Sequence, residues 1–259
     1  MRNLIRHLLA FGVAAVITGG GFAAPVAHAD TVPHPVGGGN GILLQVHSSG
    51  GGVSAELCTL TAVGYDNAGD LVGLTNAHCA IDDAGNKLVG DQVYLDTSPN
   101  GTAASPAPTT FDPSPSLAIG AIGTVTYVST PNNYLTGGTP GLDYAVIKLD
   151  PAKVTPTATV SSPSGSITIT SIGQVPGFGT RMCKQGHRSG LTCGITLVAD
   201  RIWYTTMILT YAGDSGSPVV NGTTLTGTAW GAQHFTPITS ILTDMNTQGG
   251  VGAGFHLAN

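Results

Sequence analysis

The chain has 259 residues, of which only 9% are charged, with 38 glycines, 16 prolines and a formal net charge of −5 at pH 7. This length suits one large all-β unit or two smaller packed units, and the 41% apolar fraction argues against a disordered chain. The negative charge and the lack of a lysine and arginine cluster argue against nucleic acid as a partner.

The first 29 residues have the pattern of a signal peptide. Two arginines precede an apolar run from Leu8 to Ile17, and an A-x-A cleavage site ends at Ala29, so the mature chain is predicted to begin at Asp30. A membrane anchor is the alternative, but three glycines and Pro25 interrupt the apolar stretch, which is short for a span. We therefore expect a secreted protein, extracellular or associated with the cell envelope, with no membrane span after cleavage.

From residue 40 onward, short β-branched runs alternate with Gly, Asn, Asp and Pro, which predicts an antiparallel sandwich or barrel. Asn221-Gly222 is a strong signal for a hairpin between the strands on either side of it. The predicted strands are Ile42–Val46, Leu57–Tyr65, Leu71–Thr75, Leu117–Val128, Tyr144–Leu149, Ile167–Ile172, Cys193–Leu197 and Ile202–Thr210.

Two Ser-, Thr- and Pro-rich stretches without periodicity, Thr97–Ser116 and Pro151–Gly165, are predicted surface loops. The second divides the mature chain into halves, residues 30–155 and residues 156–259. Thr239–Asn246 is the one helix that we predict outside the signal peptide.

Each half carries two cysteines, Cys58 and Cys79 in the first and Cys183 and Cys193 in the second. Four cysteines allow three connectivities. Pairing each cysteine with its near neighbour is favoured, because each bond would then close one local unit. The sequence has no C-x-x-C or H-E-x-x-H motif and its histidines do not cluster at ligand spacing, so we expect no metal and no other cofactor.

Three segments carry residues suited to acyl transfer: T-N-A-H-C around His78, L-D-Y-A-V around Asp143, and G-D-S-G-S-P around Ser215. A serine hydroxyl becomes a good nucleophile when an imidazole removes its proton, and a carboxylate must orient that imidazole. We therefore predict Ser215 as nucleophile, His78 as general base and Asp143 as the orienting acid. The N–H groups of Gly213 and Ser215 are predicted to form the oxyanion hole.

The order of these motifs resembles the chymotrypsin-like (trypsin-fold) serine proteases, especially the bacterial secreted branch that includes streptogrisins and alpha-lytic protease. The resemblance implies two six-stranded antiparallel β-barrels, with His78 and Asp143 in the first, Ser215 in the second and the active site in the cleft between them. It implies the disulfides Cys58–Cys79 and Cys183–Cys193. It also implies an endopeptidase that is a monomer and acts on protein or peptide substrates.

The acid before the nucleophile, Asp214, needs a cationic partner. The sequence has no I-V-G-G-like motif whose amine could fill this role. The segment from Cys183 to Gly194 resembles the small disulfide loop of the bacterial branch, in which Lys184 occupies the place of an arginine that neutralises the acid. Lys184 is therefore the first candidate, with Arg181 and Arg188 as nearby alternatives.

The register with the family also implies a specificity pocket, whose predicted residues are Leu209, Thr210, Ala212, Ala229, Trp230 and Gly231. The last three correspond to an edge strand that pairs with the substrate backbone. No carboxylate stands at the floor to pair with Arg or Lys, and Ala229 stands where glutamate-preferring relatives carry a histidine. We therefore predict cleavage after small or medium apolar residues.

The other histidines are predicted to be surface or loop residues, and His234 is assigned to the short loop after the edge strand. These residues are His34, His47, His187, His234 and His256. The main alternative to an enzyme is a catalytically silent protease-fold protein that acts by binding at the cell envelope. An α/β-hydrolase is disfavoured because its G-x-S-x-G elbow is absent and little helix is predicted.

Overall fold

The computed structural model of the chain describes residues 32–49, 52–107, 112–131 and 141–258. The predicted signal peptide and its cleavage site lie outside these ranges. The strands are β1 (His34–Val36), β2 (Gly41–Ser49), β3 (Gly52–Thr59), β4 (Ala62–Tyr65), β5 (Leu71–Thr75), β6 (Gln92–Leu95), β7 (Gly123–Val128), β8 (Ala145–Leu149), β9 (Val154–Pro156), β10 (Thr159–Ser162), β11 (Gly165–Thr168), β12 (Ser171–Ile172), β13 (Arg181–Gly186), β14 (Gly190–Ala199), β15 (Tyr204–Thr206), β16 (Pro218–Asn221), β17 (Thr224–Gly231), β18 (His234–Pro237) and β19 (His256–Leu257). A 3-10 turn spans His78–Ala80, and the α-helices of the described residues are α1 (Ser114–Ile119) and α2 (Ile238–Gln248).

The first barrel is formed by β2 to β8. Its antiparallel pairs run in the order β4, β5, β8, β7, β6, β2, β3. Because β3 continues into β4 through Leu60 and Thr61, these two segments act as one bent strand. This strand closes the sheet into a six-stranded barrel. The C-terminal strand β19 pairs with β4 on the outside of this barrel.

The second barrel has the strand order β17, β16, β13, β14, β15, β18, and pairing between β18 and β17 closes it. The hairpin predicted at Asn221-Gly222 joins β16 to β17, with Gly222 at a φ of 60°. The two-barrel prediction is therefore confirmed, as is the C-terminal helix, which extends slightly beyond Thr239–Asn246 at both ends.

A hydrophobic cluster fixes the two barrels against each other. It joins Val72 and Val146 of the first barrel to Val220 and Leu225 of the second, all of them buried. Helix α2 adds its apolar face to this cluster through Ile238, Ile241 and Met245. Each fully buried side chain of this size contributes about 1.5–3 kcal/mol, so the barrels meet along a well-packed core on which the cleft depends.

Several predicted element bounds were wrong. The strand predicted over Leu117–Val128 begins only at Gly123, because α1 occupies the preceding residues and ends where Gly120 adopts a φ of 81°. The loop predicted over Pro151–Gly165 contains β9 and β10, and β9 pairs in parallel with β1. The strand predicted over Ile202–Thr210 is limited to β15.

Both predicted disulfides are present, Cys58–Cys79 in the first barrel and Cys183–Cys193 between the paired strands β13 and β14 of the second. Within the described ranges, no group of three or more His, Cys, Asp or Glu side chains is placed to hold a metal ion. Among the helices of those same ranges, none is long and apolar enough to cross a membrane.

Candidate active site

His78 and Asp143 are brought together by neighbouring strands. His78 follows the end of β5 and Asp143 precedes the start of β8, and the two strands pair antiparallel with Thr75 opposite Ala145. The Asn76 side chain donates to the carbonyl oxygen of Asp143 at 2.9 Å, and the backbone N–H of His78 donates to Asp143 Oδ1 at 3.1 Å. These two bonds hold the backbone and the carboxylate of Asp143 in place independently of its contact with the imidazole ring.

The three predicted triad side chains form a continuous hydrogen-bonded chain. His78 Nδ1 lies 2.6 Å from Asp143 Oδ2, and His78 Nε2 lies 2.8 Å from Ser215 Oγ. The Asp143 side chain is 2% exposed and that of His78 is 35% exposed. A buried carboxylate accepts the Nδ1 proton, which leaves Nε2 to accept a proton from the serine hydroxyl.

The electrostatic surroundings of His78 favour its protonated form. Burial lowers the pKa of the imidazole, but the charge and hydrogen bond of Asp143, together with the charge of Glu56, outweigh burial and raise the pKa above its ordinary value. A raised pKa makes the imidazole a stronger base once it is neutral.

The serine lies in a sharp turn, residues 211–217, which we call the oxyanion turn. Gly213 has a φ of 96°, a backbone conformation that favours glycine, and a Cβ at this position would lie 3.3 Å from Leu57 Cδ2. The Ser217 N–H donates to the Asp214 carbonyl at 2.9 Å and tightens the turn. Within the described residues, the N–H groups of Gly213 and Ser215 form no backbone hydrogen bond, so they are available as donors.

The predicted ion pair between Lys184 and Asp214 is present. Lys184 Nζ lies 2.7 Å from Asp214 Oδ2, with the side chains 0% and 2% exposed. Ser189 donates its hydroxyl to the same oxygen at 2.6 Å and its N–H to Oδ1 at 2.9 Å. The alternative cations are placed elsewhere, since Arg181 is exposed and Arg188 donates to the carbonyl oxygen of Ala212.

Burial lowers the pKa of Lys184 from its ordinary value, while the adjacent carboxylate of Asp214 opposes this effect. Gly186 makes room for the carboxylate, because a Cβ there would lie 2.1 Å from Asp214 Oδ1. The buried charge of Asp214 is thus compensated on both oxygens, which is the condition for keeping a carboxylate in a protein interior.

The family comparison covers all three of these segments. The trypsin-like peptidase domain family matches residues 60–225, a range that contains His78, Asp143 and Ser215. The chain belongs to the trypsin-like peptidase domain family. No curated protein sequence matches the chain.

Solved structures show the same fold at low sequence identity. Protease A from Thermobifida fusca is 19% identical, with a TM-score of 0.55 over 82% of this chain and 97% of that one. A Nocardiopsis protease is 18% identical, with a TM-score of 0.54 over 82% and 97% of the two chains. A glutamic acid specific serine protease, described as using a histidine triad in substrate binding, is 18% identical, with a TM-score of 0.54 over 82% and 98%.

A cavity of about 250 Å³ opens beside Ser215 in this trypsin-like peptidase domain. Its lining residues are Thr210, Tyr211, Ala212, Asp214, Ser215, Ala229, Gly231 and Ala232. Asp214 is the one charged residue among them, and its oxygens accept from Lys184, Ser189 and the backbone N–H of Tyr211. The cavity therefore offers three alanine side chains beside polar groups, with no uncompensated charge.

The structure places two predicted pocket residues outside this lining. Leu209 is 50% exposed, and its carbonyl oxygen accepts a hydrogen bond from the hydroxyl of the buried Thr192. Trp230 sits at a register shift between β17 and β18, and its ring packs at 6.0 Å from that of His234. The backbone of its neighbour Ala229 is bonded to the oxyanion turn through Gly216 and Ser217.

The loop prediction for His234 was wrong, and the prediction for His187 did not include its burial. His234 is not in a loop but begins β18, opposite Gly231, and lies edge-on to Trp203 with ring centroids 5.5 Å apart. Burial lowers the pKa of His234, and its side chain does not line the cavity. His187 lies in the turn between β13 and β14 but is only 1% exposed, and its Nε2 contacts Asp96 Oδ2 between the barrels. The burial of His187 could not be predicted from the sequence, because the residue lies in a turn between two strands and its partner Asp96 lies in the other half of the chain.

Proposed function

We propose that this trypsin-like peptidase domain is an exported serine endopeptidase that hydrolyses peptide bonds through an acyl-enzyme at Ser215. The observation that carries the proposal is the hydrogen-bonded chain from Asp143 through His78 to Ser215, with bond distances of 2.6 and 2.8 Å. Distances in this range are those of a nucleophile and base within direct proton-transfer reach.

Acylation follows from this geometry. Ser215 Oγ attacks the carbonyl carbon of the scissile bond as its proton passes to His78 Nε2, and the carbonyl oxygen becomes an oxyanion. The N–H groups of Gly213 and Ser215 stabilise that oxyanion, a contribution worth about 100- to 1000-fold in rate for each donor. His78 then gives the proton to the leaving amine nitrogen as the C–N bond breaks.

Deacylation repeats the sequence with water. His78 removes a proton from the water, whose oxygen attacks the acyl carbon, and the proton returns to Ser215 Oγ as the ester bond breaks. Asp143 remains ionised throughout and stabilises the imidazolium that forms in each half-reaction. The buried pair of Lys184 and Asp214 keeps the oxyanion turn in one conformation, so the donors need no reorganisation during the reaction.

The proposed acyl-side preference is for small or medium apolar residues. The cavity beside Ser215 has no uncompensated carboxylate for a basic side chain, and no histidine among its lining residues for an acidic one. Burying a side chain the size of Val or Leu against Ala212 and Ala229 contributes about 1.5–3 kcal/mol. Export is supported by the predicted signal peptide and by the two disulfides, which persist in oxidising compartments.

A serine-directed fluorophosphonate probe tests the reaction class. The mature protein should be labelled at Ser215, while Ser215→Ala should not be labelled, with Ser166→Ala as a control at an exposed serine. A protease-fold binding protein without turnover would remain unlabelled under conditions in which the chain is folded, and this result would reject the proposal.

A further inference from the structure

The hairpin turn between β13 and β14, residues 187–189, connects the first barrel to the oxyanion turn, and we call it the bridging turn. On its side facing the first barrel, the His187 ring lies against β2 and the end of β6. A Cβ at Gly41 would be 2.6 Å from Cγ of His187, so the ring can lie this close to β2 only because residue 41 is glycine. His187 Nε2 lies 2.7 Å from Asp96 Oδ2, directly after β6, with the side chains 2% and 1% exposed.

The Asp96 carboxylate is fully occupied by first-barrel groups and by His187. Ser98 donates its N–H to Oδ1 at 2.9 Å and its hydroxyl to Oδ2 at 2.7 Å, and the Ser116 hydroxyl lies 3.4 Å from Oδ1. Burial raises the pKa of Asp96, but the bonds from His187 and Ser98 outweigh burial and lower the pKa. The imidazole is thus bound to a buried acceptor that is itself fixed to the first barrel.

The backbone of the bridging turn is bound to the same barrel. The Gly101 N–H donates to the carbonyl oxygen of His187 at 3.0 Å, and the Ala107 N–H donates to that of Arg188 at 2.9 Å. The His187 N–H donates to Thr59 Oγ1 at 3.2 Å, and the Thr59 hydroxyl in turn donates to the Gly213 carbonyl at 2.8 Å.

On its other side, the bridging turn contacts the oxyanion turn through both remaining residues. Arg188 Nη1 donates to the carbonyl oxygen of Ala212 at 3.0 Å, and a Cβ at Gly213 would lie 3.4 Å from Arg188 Cβ. Ser189 donates both its N–H and its hydroxyl to the carboxylate of Asp214. Arg188 and Ser189 therefore contact the three residues that precede the nucleophile, and His187 is connected to Gly213 through Thr59.

From these contacts we infer that His187 and Asp96 are positioning residues for the oxyanion hole, which act by holding the bridging turn against the first barrel. This inference rests on the proposed serine peptidase function and adds a group outside the triad to it. Because His78 belongs to the first barrel and the oxyanion turn to the second, the pair fixes the base and the oxyanion donors relative to each other. A misplacement of about 1 Å at such a site can cost about 100-fold in rate.

The test compares His187→Ala, Asp96→Ala and the conservative His187→Gln, whose amide can still donate to Asp96. Asp66→Ala is the matched control, since Asp66 is 3% exposed and accepts backbone N–H groups, including that of Gly252, in a turn of the first barrel that β19 covers. We expect both alanine variants at His187 and Asp96 to lower kcat per probe-titrated site by about 10- to 100-fold. KM should change much less, and His187→Gln should recover part of the loss.

A second readout is independent of turnover. Hydrogen exchange of the amides of residues 211–217 should accelerate in His187→Ala and Asp96→Ala and stay unchanged in Asp66→Ala, with β5 as an internal reference. If wild-type protein neither cleaves peptides nor reacts with the probe, the proposed function fails, but exchange still reports on the bridging turn. Unchanged exchange over residues 211–217 in His187→Ala overturns the inference, and so does an unchanged kcat in a wild-type enzyme shown to be active.

Discussion

The backbone N–H of Thr59 in the first barrel donates to the carbonyl oxygen of Ser215 in the second barrel at 2.7 Å. Thr59 ends β3, whose neighbour Cys58 is bonded through a disulfide to Cys79 beside His78. The nucleophile and the base are therefore linked through one short covalent and hydrogen-bonded path that crosses the cleft. This path explains how groups from opposite halves of the chain reach hydrogen-bonding distance.

Triad substitutions should not act independently. Ser215→Ala, His78→Ala and Asp143→Asn should each remove most peptidase activity, the last by about 10,000-fold, while the fold is retained. Because the three side chains act as a unit, the triple variant should be only slightly worse than the worst single variant. If the losses in kcat/KM on one peptide multiplied when the substitutions were combined, the triad assignment would be contradicted.

The pH dependence of kcat/KM should follow His78. The raised pKa of His78 places the rise in activity at a midpoint above about 6.5, because the imidazole must be neutral to accept the serine proton. The charge of Glu56 contributes to this raised pKa, so Glu56→Gln should move the midpoint toward acid without removing activity. An activity that is flat down to about pH 4 would show that another group is the base.

The raised pKa of His78 also predicts that folding stability depends on pH, and this dependence runs opposite to that of activity. When folding raises the pKa of a histidine, its protonated form stabilises the folded state. The full stabilisation is present below the pKa of the unfolded chain, which is about 6.5. This contribution is lost as the pH rises through the folded value. The free energy of unfolding should therefore differ more between Ser215→Ala and Ser215→Ala/His78→Asn at pH 5.5 than at pH 9. Equal differences at both pH values, measured by denaturant titration, would argue against a stabilising pair with Asp143.

Loss of the buried cation should disrupt the oxyanion turn. Lys184→Met leaves Asp214 buried without its partner, and breaking a buried pair in this way costs about 3–5 kcal/mol. We expect a large loss of both stability and kcat, whereas Arg181→Met on the same strand, at an exposed position, should change neither. In the double variant Lys184→Met/Asp214→Asn, stability should recover in part, because no uncompensated charge remains. Full activity of Lys184→Met would refute the role of the pair.

The specificity prediction can be tested at one wall of the cavity. A peptide library should show cleavage after small or medium apolar residues, and dominance of Arg, Lys or Glu would refute this. Thr210→Asp introduces a carboxylate into the lining and should raise the preference for Lys or Arg over apolar residues by about tenfold, a charge-pair effect of about 1.4 kcal/mol. Thr210→Asn is the control, because asparagine matches aspartate in size but carries no charge. It should leave the ratio of cleavage after Lys or Arg to cleavage after apolar residues unchanged.

Much of the fold could be predicted because its signals are local. The hairpin at Asn221-Gly222 and the strand Leu71–Thr75 follow from residue types at adjacent positions, and the structure has both. Helix α1 was missed because its six residues, with Pro115 in the first turn, are too few to show a helical periodicity. Strand β9 was missed because its pairing partner, β1, lies more than a hundred residues away in the sequence and adds no local pattern.

The sequence by itself determined the three residues of the hydrogen-bonded triad, because each lies in a short motif suited to acyl transfer. Spacing favoured the two near-neighbour disulfides, and the resemblance to the bacterial secreted proteases implied them. The same resemblance placed Lys184 ahead of Arg181 and Arg188 as the partner of Asp214. Only the tertiary structure decided that His187 is buried against Asp96 and that His234 lies outside the cavity. It also placed Leu209 at the surface. The burial of His187 depends on how the two barrels dock, whereas the positions of His234 and Leu209 depend on how distant segments of the second barrel pack together. Such contacts leave no periodicity or spacing along the chain from which they could be predicted.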